Sequence, residues 1–195
     1  MYAFFNSKKF ILRTAKLSFI ILLCFSVLAF LWTGIQKKYI FPLKYIDSIK
    51  EYSDEFNVDK FLILSVIKVE SNFNKSALSE KNAKGLMQVI DSTANYVAKQ
   101  LHVESFDIFD EDTNIRFGIY YLSYLINKFE IVKTALCAYN AGEGNVKKWL
   151  NDSRYSFDGK NLTYIPFSET RNYIKKIEKS FSKYKKLYEN LLDKS

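Results

Sequence analysis

Proline occurs twice, cysteine twice, histidine once and glycine six times in 195 residues, and each scarcity excludes something. An all-β domain turns about every 8–12 residues and draws on Gly and Pro to do so. With proline only at positions 42 and 166, the chain reads instead as long helices. Cys24 lies in an apolar run and Cys137 far downstream, so the sequence offers neither a disulfide framework nor metal-ligand spacing. The lone His102 has no ligand-spaced neighbour and no nucleophile motif around it, and reads as a surface or loop residue. Acidic residues are absent from the first 46 positions. Lys8, Lys9, Arg13, Lys16, Lys37, Lys38 and Lys44 all precede Asp47, and these seven leave only +1 of the formal +8 for the rest. A nucleic-acid binder concentrates its positive charge on the binding domain. Here the excess flanks an apolar run, which argues against nucleic acid.

That run, residues 17–35, reads LSFIILLCFSVLAFLWTGI and carries no charge. About 20 apolar residues span a bilayer core as a helix. The basic, acid-free segment before it favours an N-terminus on the cytoplasmic side. Lys37 and Lys38 on the far side pull the other way. A cleaved signal peptide is the rival, with a poor cleavage site at Val27-Leu28-Ala29, but the apolar run continues past it. The expected organisation is a basic cytoplasmic segment at 1–16, a transmembrane helix or signal anchor at 17–35 and a linker at 36–42. The folded body would then lie on the extracytoplasmic side of a cell membrane.

Beyond Pro42 the pattern is helical. Tyr45, Ile46, Ile49, Tyr52 and Phe56 recur at helical spacing. Asn57 is a candidate cap for a second helix, and residues 58–69 are apolar on most sides, as a buried helix would be. Asp91 or Ser92 opens a helix through about Leu101, Asn114 one through Lys128, and Val132 one through about Tyr139 that stops near Gly142. A polar stretch with Gly159 and Pro166 follows, and a last helix starts near Ser168. A domain over 43–178 and a basic helical tail over 179–195 are expected. In the tail, Ile177, Phe181, Tyr184, Tyr188 and Leu191 form a stripe that packs on the domain itself or binds a partner protein.

Glu70 draws attention on physical grounds. It ends the apolar helix FLILSVIKVE. A carboxyl at the edge of an apolar wall loses solvation when ionised, so its pKa rises and it holds a proton that it can donate. The plain alternative is a solvated residue at a helix end.

Five blocks surround that residue in order: VDKFLILSVIKVESNFNKSA, AKGLMQVIDSTA, FDEDTNIRFGIYYL, ALCAYNAGEGNVKKW and YIPFSETRNYIKKI. Together they resemble the lytic transglycosylase (SLT) domain family, the goose-type branch of the lysozyme superfamily. The resemblance implies a mostly α, lysozyme-like fold with at most a small β element near Gly85-Leu86-Met87-Gln88. It also implies a peptidoglycan glycan strand as substrate, no cofactor and no metal. Glu70 would be the sole catalytic acid and base, and Ser71 would bond near the reacting sugar or orient Glu70. Gly85 would let the backbone pass close to the glycan, Met87 would line the cleft, and Gln88 would turn its amide to the sugar. Tyr139 and Asn140 would sit beside Glu70 and the substrate's N-acetyl group, and Glu169 and Tyr173 would complete the cleft wall. Structural alternatives stand beside these. Leu86, Ala138 and Cys137 read as core, Met87 as core or cleft, Gly118 as a close-packing position, Gly142 as a helix stop, and Glu169–Arg171 as an ion pair.

The family's reaction breaks the bond between N-acetylmuramic acid and N-acetylglucosamine and closes a 1,6-anhydro ring, without consuming water. Alternatives on the same fold are a hydrolytic muramidase and a non-catalytic peptidoglycan-binding scaffold.

Overall fold

The computed structural model describes residues 2–192. It divides into two compact units, Met1–Pro42 and Leu43–Ser195. In the first, helix α1 (Tyr2–Ile35) continues into a π-helical turn, Gln36–Ile40, closed by the Phe41 amide donating to the Gln36 carbonyl at 2.7 Å. The stretch Arg13–Ile40 is long and apolar enough to cross a membrane, a test that a signal sequence also passes.

The second unit holds seven helices among the described residues: α2 (Ile46–Phe56), α3 (Lys60–Glu70), α4 (Asp91–Gln100), α5 (Glu111–Phe129), α6 (Val132–Ala141), α7 (Glu143–Leu150) and α8 (Ser168–Leu192). The β content is two antiparallel bridges, Leu78 with Lys84 and Lys84 with Val89, around the Gly-Leu-Met-Gln segment.

Helix α3 lies at the centre. Every residue from Phe61 to Ile67 is buried, because α2 and α8 pack against it. Its start is set by Asp59, whose carboxylate accepts from the Phe61 and Leu62 amides at 2.7 and 3.1 Å. Such a cap satisfies amides that have no partner inside the helix. Asn57, the candidate cap in the sequence, instead ends α2 in a left-handed conformation at φ 53°. Helix α5 likewise starts earlier than Asn114, with Asp110 accepting from the Thr113 amide at 2.9 Å. Helix α7 falls in a stretch that reads as polar, yet it buries Val146 and Trp149, and the Trp149 ring meets Phe167 edge-on at 4.9 Å.

Helix α8 runs unbroken across position 178 and packs on α3 and α6. Its stripe is used internally: Ile177, Tyr184 and Tyr188 are buried, and Leu192 takes the place expected of Leu191, which is 59% exposed. The Lys60 ammonium donates to the Leu192 carbonyl at 2.5 Å and ties the two helix ends together. The stripe is therefore not a free surface for a partner protein.

Candidate active site

A cleft of about 620 Å³ opens where the end of α3, the segment 79–93, α5, α6 and the start of α8 meet. Glu70 is one of its lining residues, along with Gln88, Tyr139, Asn140 and Glu169. Glu70 follows the buried run of α3 and is itself half-buried at the cleft wall. Burial pushes the Glu70 pKa from 4.5 to about 7; the Tyr173 hydroxyl draws it down in part and the Glu169 charge raises it. The Tyr173 hydroxyl is buried and has no hydrogen-bond partner of regular geometry, yet it lies close enough to favour the Glu70 carboxylate. Burial, then the Glu70 charge, holds the phenols of both Tyr139 and Tyr173 well above their ordinary pKa. Both remain protonated donors near the carboxyl.

The segment 71–90 forms one wall, and its backbone is clamped by two of its own side chains, by one from α5 and by one from α6. Ser71 donates to the Leu86 carbonyl at 2.7 Å. Asn114, 1% exposed, accepts from the Met87 amide at 2.8 Å and donates to the Lys84 and Ile108 carbonyls at 2.9 and 2.8 Å. Tyr139 donates its phenol to the Met87 carbonyl at 2.8 Å. The Gln88 amide nitrogen donates to the Gly85 and Ala77 carbonyls at 3.0 and 3.2 Å.

These bonds revise several sequence-based roles. The Ser71 hydroxyl is engaged with backbone carbonyls, Leu86 at 2.7 Å and Ile67 at 3.2 Å, and so ties the 71–90 wall to the end of α3. Met87 is 0% exposed and fills the core beside Gly118, where a Cβ would lie 2.5 Å from its sulfur. Gly85, at φ +74°, makes room for Asn114: a Cβ there would come within 2.3 Å of that amide. The Gln88 amide nitrogen is turned to the wall's own backbone, not to the cleft. Arg171 does not pair with Glu169. It donates to the Ile165 and Pro166 carbonyls at 2.6 and 2.8 Å, while Glu169 faces the Lys81 ammonium at 3.6 Å. Asn140 accepts from the Thr170 hydroxyl at 2.7 Å, which leaves its NH2 group to donate elsewhere.

Lys81, Thr93 and Tyr121 also line the cleft and were not singled out. Tyr121 stood inside a motif block; Lys81 carries no sequence signal beyond its charge. Glu80 is a third carboxylate in the cleft, exposed like Glu169. No group of His, Cys, Asp or Glu that could hold a metal occurs among the described residues.

The transglycosylase SLT domain profile matches residues 47–162. The chain is 34% identical over 155 residues to the soluble lytic murein transglycosylase of Escherichia coli K12, a match covering 75% of this chain and 23% of that protein. It is 30% identical over 168 residues to the membrane-bound lytic murein transglycosylase C of Mannheimia succiniciproducens, covering 73% and 47%. The 70 kDa soluble lytic transglycosylase of Escherichia coli superposes with a TM-score of 0.67 at 31% identity, over 80% of this chain and 26% of that one. The chain thus spans about a quarter to a half of the length of these relatives. With the profile covering most of the helical unit, this chain belongs to the transglycosylase SLT domain family.

Proposed function

We propose that the protein is a membrane-anchored lytic transglycosylase that cuts the glycan strands of peptidoglycan, with Glu70 as its acid and then its base. The observation that carries the reading is a carboxyl poised at about pH 7 in an open cleft beside two protonated phenols. A general acid works best with a pKa near the operating pH. Glu70 gives its proton to the oxygen linking N-acetylmuramic acid to N-acetylglucosamine, and the C1–O bond breaks. The muramic N-acetyl oxygen attacks C1 and holds the positive centre as a cyclic ion. The Glu70 carboxylate, favoured by Tyr173, then takes the proton of the C6 hydroxyl, whose oxygen bonds to C1 as the cyclic ion reopens. No water enters. In this reading the Asn140 NH2 orients the N-acetyl group, and Glu169 and Gln88 shape the two sides; the Thr170 hydroxyl on the Asn140 Oδ1, which leaves the NH2 to donate, supports it. Similarity to an inactive mutant of the lytic transglycosylase Slt from Pseudomonas aeruginosa, and to a lytic transglycosylase solved with bulgecin A, supports the substrate class.

The test is mass spectrometry of products released from purified peptidoglycan by the full chain in detergent. Products ending in 1,6-anhydro-muramic acid are expected, at a rate that falls about tenfold per pH unit above 7 as Glu70 loses its proton. Glu70→Gln should lower cleavage at least 100-fold, the usual scale of a general acid; undiminished cleavage would sink the assignment. The same variant tests the burial. The fold favours the protonated carboxyl, so that stabilisation is full below 4.5 and lost as pH rises through about 7. Glu70→Gln should therefore melt higher than the parent at pH 8, by on the order of 3 kcal/mol, and equally at pH 4.

A second reading has one observation behind it. Glu80 and Glu169 line the same cleft, so a base for water is within the site, and hydrolysis would give reducing-end products heavier by one water.

Residues 43–178 would form the catalytic domain, with the rest of α8 as its brace. The apolar α1 and the four basic residues before its uncharged run, Lys8, Lys9, Arg13 and Lys16, support a single-pass anchor with the N-terminus inside and the catalytic domain outside. Release of the chain from membranes by alkaline carbonate would overturn the anchor.

A further inference from the structure

Helix α8 carries seven basic and three acidic side chains, while the rest of the chain beyond position 46 carries 15 basic and 18 acidic. The surplus stands on one side of the helix. The side with Ile177, Tyr184 and Tyr188 is buried and packs on α3 and α6. At the α-helical repeat, Lys175, Lys176, Lys179, Lys183 and Lys186 fall in a sector of about 100° that faces away from that packing, over a length of about 16 Å. No acidic residue of α8 lies inside the sector; Glu178 and Glu189 flank one edge. Lys183 is half-buried and the other four are exposed.

These lysines differ from those elsewhere on the domain. Lys75 pairs with Glu111, Lys84 with Asp91, Lys128 and Lys147 with Glu143, and Lys160 with Glu130. Among the described residues none of the five on the α8 sector is in an ion pair; Lys185, which meets Glu189 at 3.5 Å, lies outside it. Lys175 and Lys179, and again Lys179 and Lys183, are like charges four residues apart, which repel one another on a helix surface. The arrangement is unfavourable in water and becomes favourable against a surface of negative charge. The row is straight and stands on a convex helix, so it suits a planar array of phosphates better than one ion in a pocket.

The chain length keeps such an array near. The π-helical turn ends at Ile40 and α2 begins at Ile46. The five residues between them reach about 20 Å when fully extended. With α1 in a bilayer, the helical unit is held at high effective concentration beside the headgroups, where a few lysines suffice to dock it.

We propose that the lysine face of α8 docks the catalytic unit on the anionic phospholipid headgroups of the membrane that α1 spans. The inference rests on the reading of α1 as an anchor. Because α8 also carries Glu169 into the cleft, docking sets the height and direction at which a glycan strand meets Glu70.

The test uses the full chain reconstituted in vesicles of phosphatidylcholine alone, and of phosphatidylcholine and phosphatidylglycerol in equal parts. A membrane-impermeant acetylating reagent reads the outward-facing chains, and mass spectrometry follows each lysine. Lys175, Lys176, Lys179 and Lys186 should react about fivefold more slowly on the anionic vesicles at low salt, the scale of one lysine's attraction to such a surface, and recover at high salt. Lys99 on α4 and Lys148 on α7, both exposed, should react alike on the two. With Lys175→Gln, Lys179→Gln and Lys186→Gln combined, the difference at Lys176 should vanish. Equal rates on the two kinds of vesicle, or slowing of Lys99 and Lys148 to the same extent as α8, overturn the docking. Protection by poly(glycerol phosphate) added to neutral vesicles, without protection by anionic lipid, overturns it in favour of a dissolved polyanion. The anchor is scored separately, by flotation with neutral vesicles. A chain that fails to float counts against the anchor, while its acetylation on added anionic vesicles still decides the lysine face.

Discussion

The two walls that meet at Glu70 are held by different forces. On one side is α3, buried from Phe61 to Ile67 and fixed by apolar packing against α2 and α8. On the other is the segment 71–90, which has almost no regular structure and is fixed by side chains reaching to its backbone: Ser71, Gln88, Asn114 and Tyr139. Burial of apolar area is non-directional, so it makes a stable wall and leaves fine geometry to packing. Hydrogen bonds are directional and modest in net energy, so they set a loop's shape without adding much to the total stability. A cleft that must accept a polymer needs both: a rigid mount for the acid, and a non-helical surface that can follow a sugar chain.

The difference has a measurable form. Leu64→Ala, at a fully buried position of α3, should cost about 4 kcal/mol by lost burial and a cavity. The cost should appear as a lower denaturant midpoint, with the cleavage rate per folded molecule little changed, because six other buried residues between Phe61 and Ile67 still hold α3. A large fall in kcat at full occupancy of the fold would show that the helical wall also sets the geometry of Glu70.

The two walls were also unequally legible. A run such as FLILSVIKVE announces a buried helix, and its terminal carboxyl announces a raised pKa; both follow from composition at helical spacing. The loop wall has no period, so the motif residues could be assigned only by resemblance, and a motif does not say which way a side chain turns. Met87 and Ser71 belong to the right segment but serve its packing and its clamp. Asn114, which carries three bonds, reads in the sequence as a helix start inside a motif block, with nothing to show that its side chain reaches across to Met87. Helix α7 was missed because it is short and opens Glu143-Gly144-Asn145, with only Val146 and Trp149 to bury. The stripe on α8 was visible, but reading it at heptad spacing favoured Leu191, and the packed helix turns Leu192 inward.

Asn114 is where the comparison can be broken most cleanly. Asn114→Ala would leave the Met87 amide and the Lys84 and Ile108 carbonyls without their partner in a buried region. Unsatisfied buried groups cost about 1–3 kcal/mol each, and a water entering the vacated space beside Gly85 would recover part of that. The expected net loss is about 3 kcal/mol, less than for Leu64→Ala. The functional loss should run the other way. The Gly85–Gln88 turn would loosen, Gln88 and Val89 would lose their fixed place in the cleft, and KM for glycan strands should rise more than kcat falls, since Glu70 keeps its mount on α3. Steady-state kinetics on long strands, at a temperature where circular dichroism shows both variants folded, reads this directly. Should Leu64→Ala damage KM as much as Asn114→Ala does, the two walls would be one cooperative unit and the division between packing and clamping would fail.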